Sequence, residues 1–235
     1  MKTRLRLACG FAAATLASSP FSLAAEKSPP PQFSGPRVQE AKIEFVPADA
    51  PEAAEVRLLG ERAINRLAYS LVTEVSRSVA QQGEADALGT CHLKNVRLDG
   101  GVIPDMPRIS AWKRTSLRIR DSANAPDPAD MLALHRVLSD VSAGNIPPKI
   151  LVQRIDYPGG APEWRVYKPV AAMAQCLACH GPADDIAADV RAELKRRYPN
   201  DAAIGYQQGE WRGLIRVSIG PAPASLPAPA PAPKR

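Results

Sequence analysis

The chain has 235 residues, of which 45% are hydrophobic and 23% charged, with a formal net charge of +6. That is enough apolar material for a folded core, and the lack of an Arg/Lys stripe interleaved with aromatics argues against a nucleic-acid partner. Past the first residues, no stretch approaches the roughly 20 consecutive apolar residues of a spanning helix, so no membrane span is expected once the amino-terminal segment is removed.

Lys2, Arg4 and Arg6 precede an apolar run from Leu7 to Ala17, followed by Ser18, Ser19 and Pro20 and the small residues Ser22, Ala24 and Ala25. Basic, apolar and small-residue regions in that order predict a cleaved secretory signal peptide over residues 1–25 and a periplasmic mature protein. Without a twin-Arg pair, export is expected as an unfolded chain, and loss of the three cations makes the mature protein less basic. Residues 26–48, with Pro29 to Pro31, Gly35 and Pro36, read as a flexible lead-in.

A folded domain is expected over residues 49–220. Its first element is a long helix from Pro51 to Gln82, with Asp49 as N-cap and Gly83 as stop. Val56, Leu59, Ala63, Leu67, Leu71, Val75 and Val79 make one apolar stripe along it. A shorter helix from Glu84 through Leu93 carries Cys91. Ser110 to Arg120 alternates like a strand, Asp121 to Pro128 is a polar turn, and Ala129 to Val141 is a helix with Met131, Leu132, His135 and Leu138 on one face. Strands over Ile150–Tyr157 and Glu163–Lys168 flank the Pro158-Gly159-Gly160-Ala161-Pro162 loop, with Pro169 as a stop. A helix over Ala183–Arg197 and a strand over Trp211–Ile219 follow. Residues 221–233 alternate proline with small residues, and 221–235 are expected to form an unpacked tail. Helices first and hairpin-joined strands later predict an α+β fold with an antiparallel sheet.

The chemistry lies in Cys176-Leu177-Ala178-Cys179-His180. Thiols three positions apart share one side of a helical turn, where each adds to a haem vinyl group, and the histidine that follows is placed to bind the iron. A redox dithiol would need a parallel-sheet context, and a zinc half-site would need two further ligands. The expected cofactor is therefore one covalent haem c, held by Cys176 and Cys179 with His180 as proximal ligand. For the sixth iron position the residue types available are Cys91, His92, His135, Met106, Met131 and Met173. Once Cys9 leaves with the signal peptide, Cys91 is an unpaired thiol in an oxidising compartment.

Three ordered blocks bear a resemblance to a family. A cysteine ends an early helix in Ala87-Leu88-Gly89-Thr90-Cys91. Arg114-Thr115-Ser116-Leu117 is followed by Arg120 and Asn124-Ala125-Pro126-Asp127. After the haem motif and Gly181 come Tyr198-Pro199, Asp201-Ala202, Gly205-Tyr206 and Gly209, then Arg212-Gly213 and Val217-Ser218. Together these resemble the single-haem c-type domain with a PAS-like fold, long catalogued as a domain of unknown function, over roughly residues 55–220. Two turns depart from its pattern, with Asp121-Ser122 in place of Asn-Pro and Glu210 in place of Asp. The resemblance implies a central antiparallel sheet with flanking helices and a long N-terminal helix, a haem lodged in a pocket on it, and Cys91 as the sixth ligand. Arg114, Arg118 and Arg212 are candidates for pairing with the haem propionates, because guanidinium meets carboxylate bidentately.

Three function classes fit a single exported haem. They are a redox- or gas-responsive sensor module docking to a signalling partner, a periplasmic single-electron carrier, and a peroxidase-type enzyme. The enzyme ranks last, since no His-plus-Arg pair stands together as a distal acid/base set.

Overall fold

A computed structural model describes residues 41–93 and 106–221, all within one unit, Gly35–Arg235. The expected signal peptide, residues 26–40 of the lead-in and the tail from residue 222 lie outside the described residues. What is described is an α+β fold: a five-stranded antiparallel sheet with flanking helices. The strands are β1 (Lys42–Val46), β2 (Ile109–Thr115), β3 (Leu151–Asp156), β4 (Glu163–Ala171) and β5 (Trp211–Ile219), in spatial order β1-β3-β4-β5-β2. The helices are α1 (Ala54–Gln82), α2 (Glu84–Ala87), α3 (Pro128–Ser142), α4 (Leu177–His180) and α5 (Ala188–Arg197). Among the described residues no helix is long and apolar enough to cross a membrane.

Strand alternation splits the sheet into two covered faces. Val152, Val166, Ile215, Val217 and Ile219 pack under α1, whereas Tyr167 and Leu214 pack under Ala133, Leu134 and Val137 of α3. Helix α1 lies close on the sheet because residue 60 is glycine. A Cβ there would come within 2.5 Å of the Val166 side chain. At the other end of the sheet, Gly213 (φ 138°) takes a backbone conformation closed to most residues, and a Cβ on it would collide with the Thr115 carbonyl.

The apolar stripe on α1 serves two surfaces. Val56, Ala63, Ile64 and Leu67 are buried against the sheet. Farther along, Leu71 and Val75 still touch that core, and with Val72 and Val79 they wall a cavity.

Five expectations need correction. Residues 42–46 form an edge strand on β3, in register from Lys42 opposite Asp156 to Val46 opposite Val152, and not part of a flexible lead-in. Asp49 caps nothing: a 3-10 turn over Pro51–Ala53, with Ala50 at its start, leads into α1. The second helix stops at Ala87 and passes into a 3-10 turn, Leu88–Thr90, so Cys91 follows a turn. Pro169 does not end β4 but pairs with Leu214 of β5. It is tolerated because β3 pairing ends at Leu151 opposite Tyr167, so on its β3 side no strand needs an N–H there. On α3 the buried face is Ala129, Asp130, Ala133, Leu134 and Val137, which leaves Leu132 and His135 exposed.

The N-terminus of α3 is fixed by a capping box, in which Asp127 accepts from the Asp130 N–H and Asp130 from the Asp127 N–H. The same two carboxylates meet Arg165 of β4, at 2.7 Å from Asp127 and 3.4 Å from Asp130, and Arg216 of β5 at 3.4 Å and 3.5 Å. Lys113 and the Tyr167 hydroxyl complete the shell of Asp130, which is fully buried. Burial alone would push the Asp127 carboxyl up, but the Asp130 N–H and Arg165 more than offset it and hold it below its ordinary value. Glu163 is held low in the same way, burial being outweighed by Arg165 and Ser218.

Replacing Asp130 with Ala removes the fully buried carboxylate that Lys113, Arg165 and Arg216 share and leaves Arg216 with Asp127 alone, and should cost about 3 kcal/mol in urea unfolding. The lowered carboxyls contribute stability above their unfolded values of 3.8 for Asp127 and 4.5 for Glu163. That contribution disappears as pH falls from there through the lower folded values. Asp127→Asn should be less stable at neutral pH and show a shallower acid dependence.

Candidate cofactor site

The motif folds as its spacing demands. A 3-10 turn, Ala174–Cys176, runs into α4, which places both thiols and His180 on one and a half turns. Helix α5 backs this segment, with Val190 and Leu194 packing against Leu88 and Cys179.

Cys91, Cys176, Cys179 and His180 all line one cavity of about 890 Å³ between the second half of α1, the motif segment and the ends of β4 and β5. That volume lies within the roughly 300–1,000 Å³ of cofactor sites. Its walls are mainly apolar, with Leu71, Val72, Val75, Val79, Val170 and Ile215 prominent. None of the three cysteines is in a disulfide. Among the described residues no three His, Cys, Asp or Glu side chains converge as a bare metal ion requires. The sulfurs are spread around a large cavity and not gathered to a point.

His180 is 5% exposed, and its Nδ1–H donates to the Ala203 carbonyl at 2.6 Å. With that proton engaged, Nε2 is the nitrogen left with a lone pair for a ligand. Burial, followed by Arg120, Arg212 and Arg114, pushes the imidazole well below its usual pKa, so it stays neutral. Burial likewise pushes the Cys179 thiol up to about 11, against the pull of Arg120.

A smaller, polar cavity of about 40 Å³ adjoins the first. Leu88, Cys91, Arg114, Arg120 and His180 wall both, while Arg118, Arg212, Ser116, Asn124, His92 and Tyr198 line the polar one. Arg212 is buried, packs 4.9 Å from the Tyr206 ring centroid, and donates through NH1 to the Arg118 carbonyl at 3.3 Å. Its Nε has no partner. Burial, with Arg114 as the next cause, brings its pKa down to about 10. A buried guanidinium with a spare donor, crowded by other cations, calls for an anion.

The structure distributes the sequence candidates as follows. Arg114 reaches both cavities. Arg118 borders the polar one but is engaged by Glu210 at 3.3 Å and the Ala202 carbonyl at 3.2 Å, and lies 3.8 Å from the Tyr206 ring centroid. Of the residue types considered for a sixth ligand, Cys91 and Met173 line the larger cavity. Met173 stands beside the thiols, 41% exposed. His92 lines the polar cavity and is held by the Tyr198 hydroxyl at 2.9 Å and Asp121 at 3.4 Å. Met106 is in the core under α1, Met131 packs with α3, and His135 is exposed.

Arg120 was visible in the sequence only as one arginine of a block. It pairs with Asp201 at 2.9 Å and donates to the Cys179 carbonyl at 2.5 Å and the Ala203 carbonyl at 3.4 Å. It thus joins β2's continuation, the motif and the loop that holds His180. Arg120→Ala leaves Asp201 a buried charge without its cation, and should cost about 3 kcal/mol or more. Hydrogen exchange should quicken at the Gly205 and Tyr206 amides, which bond back to the Gly181 and His180 carbonyls. Unchanged exchange there would remove Arg120 from the support of His180.

The family model described as Tll0287-like matches residues 105–220. Among solved structures, that of the cyanobacterial heme-protein Tll0287 is similar, at 20% identity over 73% of this chain and 96% of that one, with a TM-score of 0.47. Comparison with curated proteins gives no match.

Proposed function

From the premise that residues 105–220 form a Tll0287-like domain, we propose that this chain is an exported haem c protein serving as a redox- or gas-responsive sensor module in the periplasm. The observation that carries the reading is the meeting of Cys176, Cys179, His180 and Cys91 on the wall of one apolar cavity of cofactor size. The residues fit the group: two thiols in attachment spacing, a neutral imidazole with Nε2 available, an unpaired thiol, and a polar annex whose Arg212 Nε lacks a partner. Haem c, when bound, would supply a one-electron couple at its iron.

In this reading Cys176 and Cys179 provide the thioether links, His180 the proximal nitrogen and Cys91 the sixth ligand. Arg114 and Arg212 meet the propionates. The apolar half of α1 keeps water from the macrocycle.

Sensing is favoured over fixed-ligand electron transfer by how unequally the two ligands are held. His180 sits on a helix clamped through Ala203, Arg120 and the Gly205 and Tyr206 amides. Cys91 lies outside any helix, between a 3-10 turn tied by the Thr90 hydroxyl to Ser78 at 2.8 Å and His92, which is held by Tyr198 and Asp121. A ligand on such a non-helical connection is the one that exchanges, and the shape change it makes is offered to a docking partner.

Two measurements test this. The mature protein should carry one haem that survives acid-acetone extraction, and Cys176→Ser with Cys179→Ser should abolish the attachment. The reduced protein should take up carbon monoxide with loss of its six-coordinate native spectrum. A reduced spectrum indifferent to carbon monoxide would turn the reading to a periplasmic electron carrier.

A further inference from the structure

Arg114 stands on β2 with its neighbours alternating across the sheet. Trp112, two residues before, packs in the core under α1, whereas Lys113 reaches Asp130 on the α3 face at 3.3 Å. Arg114 therefore emerges on the α1 side, opposite Ile215 of β5, and both residues wall the larger cavity. Its NH1 lies 3.5 Å from the Cys91 sulfur, within hydrogen-bond reach for that element. The other arginines of the site have oxygen partners: Arg118 has Glu210, Arg120 has Asp201, and Arg212 has a carbonyl. Among the described residues Arg114 makes no ion pair, and its hydrogen-bond acceptor is the sulfur.

We propose that Arg114 is a positioning residue for the Cys91 sulfur, one that donates an N–H to it and thereby sets how strongly the sulfur binds iron. The inference rests on the reading of Cys91 as an iron ligand. A donor on a coordinating sulfur withdraws electron density from it, weakens the metal–sulfur bond and raises the reduction potential. A guanidinium has five N–H donors in a fixed fork. With NH1 given to Cys91, further donors remain for an anion in the polar cavity that Arg114 also lines. One side chain thus touches both the exchangeable ligand and the pocket assigned to the propionates.

The test uses the haem-loaded protein and compares wild type with Arg114→Gln, Arg114→Lys and Arg212→Gln, reading the iron–sulfur stretching band by resonance Raman and the midpoint potential. Arg114→Gln should move the stretch to higher frequency and lower the potential. Arg114→Lys keeps the charge without the fork, and should lower the potential less while still shifting the stretch. Arg212→Gln removes a cation from the same polar cavity without touching the sulfur, so the potential falls and the stretch stays. A stretch unmoved in both Arg114 variants overturns the proposal, whatever the potential does, because a charge acting through the propionates alone gives that pattern. Absence of any iron–sulfur stretch from wild type is a separate outcome: it removes Cys91 as a ligand and the proposal with it.

Discussion

The site depends on a single carbonyl oxygen. Ala203 accepts the Nδ1–H of His180 at 2.6 Å, and the guanidinium of Arg120 reaches the same oxygen while it pairs with Asp201 and the Cys179 carbonyl. That arrangement sets the tautomer of the histidine and the pose of its ring. It also ties the loop over residues 198–206 to the helix turn that carries both thiols. The net contribution of such a buried ion pair to stability is small, because desolvation offsets most of the attraction. What it fixes is position: the His180 ring is held in one orientation on the cavity wall.

The second constraint is the length of α1. A helix that only had to cover the sheet would end near Leu71, the last of its apolar residues buried in the core beneath it. The apolar stripe continues through Val75 and Val79, and from Leu71 onward it also faces the cavity, with Val170 of β4 and Ile215 of β5 in the same wall. Apolar surface facing an open space of that size is a cost in a folded chain unless something apolar fills it. The opposite face of the sheet makes no such demand, since α3 closes it with aliphatic side chains and a charge-balanced network around Asp130. The asymmetry places the large cavity on one face and the structural network on the other.

How much of this was legible follows from the range of each interaction. The α1 stripe, the Gly83 stop and the Cys176–His180 spacing are local, and they reappear in the coordinates close to where periodicity puts them. Strand β1 was hidden because its alternation, Lys42-Ile43-Glu44-Phe45, spans only four residues beyond a proline-rich stretch, and none of the strand's residues is buried. Pro169 misled because a proline's cost depends on whether a neighbouring strand needs its N–H, which the sequence does not display. The α3 face was misassigned because Asp130 is buried and His135 exposed, against what polarity suggests. A carboxylate ringed by Lys113, Arg165 and Arg216 belongs inside only once three strands have brought those cations together. Arg120 escaped notice for the same reason, as its partners lie 59 to 83 residues away in the chain.

Cations outnumber anions around the polar annex, with Arg212 brought down to about 10 by burial and by Arg114 beside it. An anion there would relieve that crowding and satisfy the free Arg212 Nε. The most direct test of the ligand set is the electron paramagnetic resonance spectrum of the oxidised, haem-loaded protein beside that of Cys91→Ala. Thiolate and imidazole together predict a low-spin signal with a narrow spread of g values, which is lost or converted in the variant. A wide-spread signal of the nitrogen- or thioether-ligated kind, identical in both proteins, would contradict the account.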